Sequence, residues 1–237
     1  MAQMTPLSVS VVIPAYNEEE SVEKTTRLCV EGLRRVTARG EVVIVDDGSS
    51  DRTAAIAERL KGELPEVRLV RNPVNLGVGI SILVGFAAAT GDIVLHNAMD
   101  YPFHMEDLER ILPLFPRWDV VIAARPNRAA HAPWRKVTSW VNYWMVRILF
   151  GVNFKDMNFI QVYKREVLRS VTVKAKSPAF VTPELLIRAR DHGYAITSLR
   201  VIFHPREKGE AHYGRPRDIL WTLADMISFW LERLTRA

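Results

Sequence analysis

Val42-Val43-Ile44-Val45-Asp46-Asp47-Gly48-Ser49-Ser50-Asp51-Arg52-Thr53 passes from a run of β-branched residues into an acidic turn and then toward a helix. The unbroken apolar run Val42 to Val45 predicts a strand buried on both faces. Gly48 permits a tight turn. Ser50 or Asp51 suits the cap of a helix over Thr53 to Lys61. The same order of signals recurs on either side. Ser8 to Pro14, with Val9, Val11, Val12 and Ile13, reads as a buried strand. The acids of Asn17 to Glu20 then open a helix that runs to about Arg39 and is stopped by Gly40. Val67 to Val70 reads as a third strand. Asn75-Leu76-Gly77-Val78-Gly79 is a glycine-rich turn before a helix over Ile80 to Thr90. Gly91 ends that helix, and Ile93 to Leu95 forms a fourth strand.

Strands that alternate with helices and read as continuous apolar runs predict an α/β fold. Its central sheet is mostly parallel, with helices on both faces. Ligands of such sheets bind beyond the carboxyl ends of the strands, so the loops there are the ones to read for chemistry. The second half is less regular. It predicts helices over Met105 to Phe115, Trp134 to Phe150, Pro183 to His192 and Pro216 to Leu234. Strands are predicted over Val120 to Ala124 and Ile196 to Phe203, with a short strand and turn within Val162 to Val171. No internal repeat or low-complexity linker divides the chain, so residues 1–237 are expected to form one domain. Its two halves, the regular one and the less regular one, cover about 8–104 and about 105–237.

The 237 residues are 48% hydrophobic and 25% charged, which supports a sizeable core and excludes global disorder. The single cysteine, Cys29, excludes an internal disulfide and reads as a small buried apolar residue. Met1 to Ser10 has neither a basic stretch nor a long apolar run, so no signal peptide is expected. Ile219 to Leu231 is interrupted by Asp225 and falls short of the ~20 residues a membrane span requires. A cytoplasmic protein, peripheral at most to the inner face of a membrane, is the expectation. The net charge of +5 suits an anionic partner or simply aids solubility. Scattered basic residues and the lack of a recognised module argue against nucleic acid.

Three loops follow strands and carry chemistry: Pro14-Ala15-Tyr16-Asn17-Glu18, Asp46-Asp47-Gly48-Ser49 and Asn97-Ala98-Met99-Asp100. The first two suit a nucleoside. Carboxylates accept from base N–H groups and ribose hydroxyls, and Tyr16 offers an aromatic wall. Asp46 and Asp47 equally suit a purely structural part, capping and turning the chain. Both readings stand at this point. His96 and His104 flank the third loop without metal-binding spacing and read as surface or satisfied histidines.

Val12-Ile13-Pro14-Ala15-Tyr16-Asn17-Glu18-Glu19, Ile44 to Thr53 and Asn75 to Gly79 together resemble family 2 glycosyltransferases of the GT-A fold. Within that family the chain looks most like the dolichyl- and polyprenyl-phosphate sugar transferases. The resemblance is strong through residue 95 and patchier beyond. It implies a Rossmann-like GT-A fold and a nucleoside diphosphate sugar donor. Pro14, Ala15, Tyr16, Glu18, Asp46 and Asp47 would surround the nucleoside. It also implies an acceptor that is a polyprenyl phosphate, with the sugar transferred by inversion. In the family the third loop carries an Asp-x-Asp pair that holds Mg²⁺ or Mn²⁺ on the donor diphosphate. Asn97-Ala98-Met99 stands there instead. A thioether is a poor ligand for a hard cation. Two outcomes stand: a metal site built from Asp100 with Asn97, or weak or absent metal binding. Arg125 matches a family arginine, and Arg206 with Lys208 resembles the late segment that closes over the donor phosphates. Asp156 is similar to the family's acceptor-loop aspartate, although the Ser-Gly that follows it there is replaced. Asp156, then Asp100, are the candidates for general base where an acceptor hydroxyl needs one.

Trp134-Arg135-Lys136, Trp140, Tyr143, Trp144, Arg147, Ile148 and Phe150 suit either an anionic membrane surface or packing on the sheet. So do Trp221, Met226, Phe229 and Trp230. Two rival functions remain: transfer to a soluble or glycan hydroxyl, and a non-catalytic nucleotide-sugar-binding protein.

Overall fold

The computed structural model describes residues 4–101, 103–125, 143–154, 156–201 and 216–235. Among the described residues seven strands form one sheet: β1 Val9–Ala15, β2 Gly40–Asp46, β3 Val67–Arg71, β4 Ile93–His96, β5 Val120–Ala124, β6 Ile160–Lys164 and β7 Ile196–Arg200. Their order is β3-β2-β1-β4-β6-β5-β7. β1 is parallel to β2 and β4, β2 to β3, and β5 to β7. Among these strands β6 alone runs antiparallel to its neighbours, between β4 and β5. The helices are α1 Val22–Val36, α2 Thr53–Glu63, α3 Val78–Ala88, α4 Leu108–Ile111, α5 (143–150), α6 Arg165–Ser170, α7 Val181–Asp191 and α8 Pro216–Leu234.

The apolar strand runs are explained by two cores, one on each face. Val11, Ile13, Val42 and Ile44 pack with Cys29 and Leu33 of α1 and Leu60 of α2. Val12, Val43 and Val45 point the other way, onto Ile82 and Phe86 of α3 and the layer of α7 and α8. Successive strand side chains alternate in direction, so a run buried throughout requires cover on both sides. α3 lies especially close. A Cβ on Gly85 would collide with Val12 Cγ1 and lie 3.0 Å from Val45 Cγ2. Gly85→Ala is therefore expected to destabilise the protein by about 1–3 kcal/mol, although alanine is the better helix former. Urea unfolding checks this. A variant as stable as the parent would mean that α3 can lift from the sheet.

Four boundaries differ from the sequence expectation. α1 begins at Val22, because residues 17–21 are used in loop contacts described below. Gly40 does not stop a helix but opens β2, opposite Val9. The helix expected over Met105 to Phe115 is broken into 3₁₀, α and 3₁₀ turns, with Pro113, which lacks an N–H, in the last. The turn expected after β6 is the helix α6, with Val167 buried.

Candidate functional site

The carboxyl ends of β1 and β2 lie side by side, with Ala15 opposite Asp46. Their loops are stitched together by reciprocal hydrogen bonds. Asn17 N donates to Ser49 Oγ at 3.0 Å, and Ser50 N returns to Asn17 Oδ1 at 2.9 Å. Glu18 N donates to Thr53 Oγ1 at 2.7 Å, and Glu19 N to Asp51 Oδ2 at 3.1 Å. Asn17 adopts φ 54°, a left-handed conformation that asparagine tolerates. Asp51 also accepts from the N–H of Thr53, the first residue of α2, although the N-cap position itself is Arg52 and not the Ser50 or Asp51 expected. Burial raises the pKa of Asp51, but the hydrogen bonds from Thr53 and Glu19 outweigh that and hold the carboxyl below its usual range. Tyr16 stands out from this clasp, 46% exposed. Pro14 is half-buried; Ala15 is buried, and its carbonyl accepts from Asp47 N.

The two neighbouring aspartates have different fates. Asp47 is saturated: Oδ1 accepts from Asn72 Nδ2 at 2.7 Å and Leu76 N at 2.9 Å, and Oδ2 from Gly77 N at 2.8 Å. It holds the glycine-rich turn ahead of α3, as the capping-and-turning reading requires. Asp46 is fully buried, and its Oδ1 accepts from Ser49 N. Its Oδ2 has no hydrogen-bond partner among the described residues and lies 3.4 Å from Arg71 Nε. Beside it, Gly48, Ser49, Arg71, Asn72 and Pro73 line an open groove of about 430 Å³. A buried carboxylate oxygen without a donor is costly, so a ligand N–H that reaches it is bound with advantage. Arg71 and Asn72 were not singled out in the sequence. The signal available was their place just beyond the third strand.

The third loop turns back on itself. Tyr101 N donates to Ala98 O, and Tyr101 has φ 51°. Asn97 departs from its expected part. Its side chain is fully buried, Nδ2 donates to Phe103 O at 2.9 Å and Oδ1 accepts from Ala98 N at 3.0 Å. It also meets the buried Cys29, whose thiol burial pushes up to about 12 against that contact. An amide used inward at both ends is removed from the set expected to face a donor or a cation. Met99 is buried in the core, and its carbonyl accepts from Thr25 Oγ1. Asp100 is half-buried and takes part in further interactions. No cluster of three His, Cys, Asp or Glu side chains suited to a metal occurs among the described residues. The loop's donor set thus reduces to one carboxylate, which does not match the paired acids a bridging cation requires.

Arg125 and Asp156, read separately in the sequence, are partners. Arg125 Nε and Nη2 bind the two Asp156 oxygens at 2.7 and 2.6 Å, and Arg125 N also donates to Oδ2. The guanidinium lies 4.7 Å over the Phe159 ring. Asp156 is buried and has φ 54°. The pair ties the end of β5 to the start of β6. Arg206 and Lys208 lie outside the described residues, as do Trp134, Arg135, Lys136 and Trp140. Of the aromatic stripes, Phe150, Met226 and Phe229 are core, whereas Trp144 and Ile148 are exposed.

Comparison with known proteins places this geometry. Among curated relatives, the chain is 28% identical to glycosyltransferase AglD of Haloferax volcanii, over 97% of this chain and 38% of the relative. It is 31% identical to the undecaprenyl-phosphate 4-deoxy-4-formamido-L-arabinose transferase of Pseudomonas paraeruginosa, over 93% of this chain and 64% of the relative. The chain thus spans less than two thirds of these relatives' length. In structure it is similar to glucosyl-3-phosphoglycerate synthase of Mycobacterium tuberculosis, solved with Mn²⁺, uridine diphosphate and phosphoglyceric acid. That match has a TM-score of 0.68 and 23% identity, over 95% of this chain and 79% of that one. It shows the GT-A fold. The pattern of glycosyl transferase family 2 matches residues 10–171, which include all but the first residue of β1, the whole of β2 to β6 and every loop of the site described above. With its seven-stranded sheet and its clasped β1 and β2 loops, the chain belongs to glycosyl transferase family 2.

Proposed function

We propose that the chain is a glycosyltransferase that moves a hexose from a nucleoside diphosphate sugar to a polyprenyl phosphate, at the cytoplasmic face of a membrane. The carrying observation is Asp46: a buried, half-satisfied carboxylate beneath the groove, beside the Arg71 that lines it, in loops of the family pattern. Base N–H groups supply the donors it lacks. Tyr16, Glu18 and Pro14 complete the nucleoside side. Asp47 serves by holding the turn. Arg125, with Arg206 and Lys208, is assigned to the donor phosphates. One domain of 1–237 carries both functions, the donor half over 8–104 and the acceptor half over 105–237.

The acceptor reading draws on the relatives' lipid-linked acceptor and on the Arg125–Asp156 pair. A phosphate oxygen is already anionic. It attacks the anomeric carbon as the bond to the diphosphate breaks, with inversion, and no proton has to be removed. A hydroxyl acceptor needs a base. Asp156 could serve only by giving up a bidentate arginine, which favours the phosphate. Asp100 is the second candidate for such a base. A divalent cation, as in the structural neighbour, would neutralise the diphosphate. The third loop, with the Asn97 amide turned inward and Met99 buried, does not fit one.

Thermal shift with a panel of uridine, guanosine and cytidine diphosphate sugars, with Mn²⁺ or chelator, tests the reading. At least one donor should stabilise the protein, and chelation should leave most of that shift in place. No shift with any donor would overturn it. Asp46→Asn, which presents an N–H₂ toward a ligand N–H, should weaken donor binding about 10- to 100-fold, the value of a hydrogen bond to a charged group.

A further inference from the structure

α8 is amphipathic in an inverted sense. Within 219–235 its charged side chains are Asp225, Glu232 and Arg233, and all three turn toward the protein. Asp225 Oδ2 accepts from Lys176 N and Ser177 N at 3.0 and 2.8 Å. Glu232 pairs with Lys174 at 2.9 Å and Arg188 at 3.3 Å. Arg233 pairs with Asp191 at 3.1 Å and lies over Phe229 and Phe150. The opposite face carries Ile219, Leu220, Ile227, Leu231 and Leu234, with Leu220 67% and Leu234 57% exposed. Ala224 is exposed between them, and the remaining exposed polar residues there are Ser228 and Thr235. Arg217 is exposed at the start of the helix.

Leu220, Ala224, Ile227, Leu231 and Leu234 follow the four-three spacing of a helix seam. A coiled coil with a second copy would set its register by charges flanking that seam. The flanking positions are Trp221, Leu223, Ser228, Trp230 and Thr235, and none is charged. The apolar arc is broad, and half-exposed tryptophans border it. That suits a partner without register. From Leu220 to Leu234 the arc covers about 21 Å of helix. Among the described residues no helix is long and apolar enough to cross a membrane. A helix of this kind lies in the membrane plane. α5 abuts it through Phe150 stacked on Phe229 at 5.2 Å. On α5, Ile148 is 74% exposed, and Arg147 lies 5.4 Å over the exposed Trp144. The net charge of +5 complements an anionic surface.

We propose that the outward face of α8 is an in-plane docking surface for an anionic lipid bilayer, with Leu220, Ile227, Leu231 and Leu234 as its inserted residues. The proposal deepens the lipid-acceptor reading and rests on it for its biological purpose. Of the two readings of the terminal stripe, Met226 and Phe229 take the packing one and face the core, so the docking face is made of other residues. The docked helix is also tied to the donor side. Asp225 holds the loop whose Lys176 carbonyl would lie 2.6 Å from a Cβ on Gly79, in the first turn of α3.

The test is co-sedimentation of the full chain with phosphatidylglycerol–phosphatidylcholine vesicles that contain no polyprenyl phosphate. The parent should partition to these vesicles and less to pure phosphatidylcholine. I227E/L231E should reduce partition at least tenfold. Its melting temperature and its nucleotide-sugar thermal shift should match the parent, and I227L/L231M should retain vesicle binding. Quenching of tryptophan fluorescence by brominated lipid gives a second readout. The proposal is overturned if the parent stays in the supernatant or if I227E/L231E binds as well as the parent. It is overturned too if the lipid-free parent sediments as a dimer that I227E/L231E splits. Transfer to a polyprenyl phosphate in detergent is measured separately, so failure of the acceptor reading is distinguishable from failure of docking.

Discussion

Asp156→Ala is expected to destabilise the protein by about 4 kcal/mol and to abolish measurable sugar transfer. About 3 kcal/mol comes from breaking a largely buried pair, at the low end for such pairs because the Arg125 side chain keeps 20% exposure. About 1 kcal/mol more comes from placing alanine at φ 54°. Asp156→Asn separates the two parts. Asparagine accepts the left-handed backbone, so it should lose the charge contribution alone. Urea unfolding of both variants, with Arg125→Met and the double variant Arg125→Met/Asp156→Asn, completes the cycle. The double variant should be markedly more stable than the sum of the single losses predicts. Additive losses would mean that the two side chains do not work as a unit. Transfer should fail in Asp156→Asn and the donor thermal shift should shrink with it, because Asp156 positions the Arg125 guanidinium assigned to the donor phosphates.

The second large effect is a loss of stability in mild acid that traces to His96. The residue ends β4 opposite Val12 and is 8% exposed. Its ring lies edge-on to Phe86 at 6.1 Å. Burial pulls its pKa from 6.5 down to about 4. Between those values the unfolded chain binds a proton that the folded chain refuses. The stabilisation is therefore complete above pH 6.5, falls as the pH drops, and levels off below about 4. Its full size is about 3 kcal/mol, of which about 2 kcal/mol should be lost between pH 7.5 and 5. His96→Gln carries no titrating ring, so its stability should fall by about 2 kcal/mol less than the parent's over that range. Equal losses in the two proteins would show that the ring is not held neutral in the fold. The result bears on the site, because His96 immediately precedes the Asn97 loop.

The sheet and its loops were legible because they depend on local rules. Runs such as Val42 to Val45 announce strands buried on both faces, and the turn residues after them announce ligand-facing loops. Every strand and most helices were placed from that grammar; the family was legible separately, in the resemblance carried by Val12 to Glu19, Ile44 to Thr53 and Asn75 to Gly79. Boundaries failed where tertiary contacts outbid propensity. Asn17 to Glu20 has helix-opening acids, yet the backbone N–H groups of Asn17, Glu18 and Glu19 are taken by Ser49, Thr53 and Asp51 across the neighbouring turn.

Which acid does which task lay beyond the sequence. Asp46 and Asp47 are adjacent and chemically identical. One points under a groove with an oxygen to spare, and the other is consumed by Asn72, Leu76 and Gly77. Asn97 looked like an oxygen ligand until the fold turned its amide onto Phe103. Arg125 and Asp156 are 31 residues apart and meet because β6 inserts antiparallel beside β5. α8 was recognisable as a helix, but its outward face was not, since that depends on where Lys176, Arg188 and Asp191 draw its charges. Periodicity and turn chemistry act between near neighbours and are written in order along the chain. A side chain's partner is set by strand order and crossovers, which bring together residues that no local pattern relates.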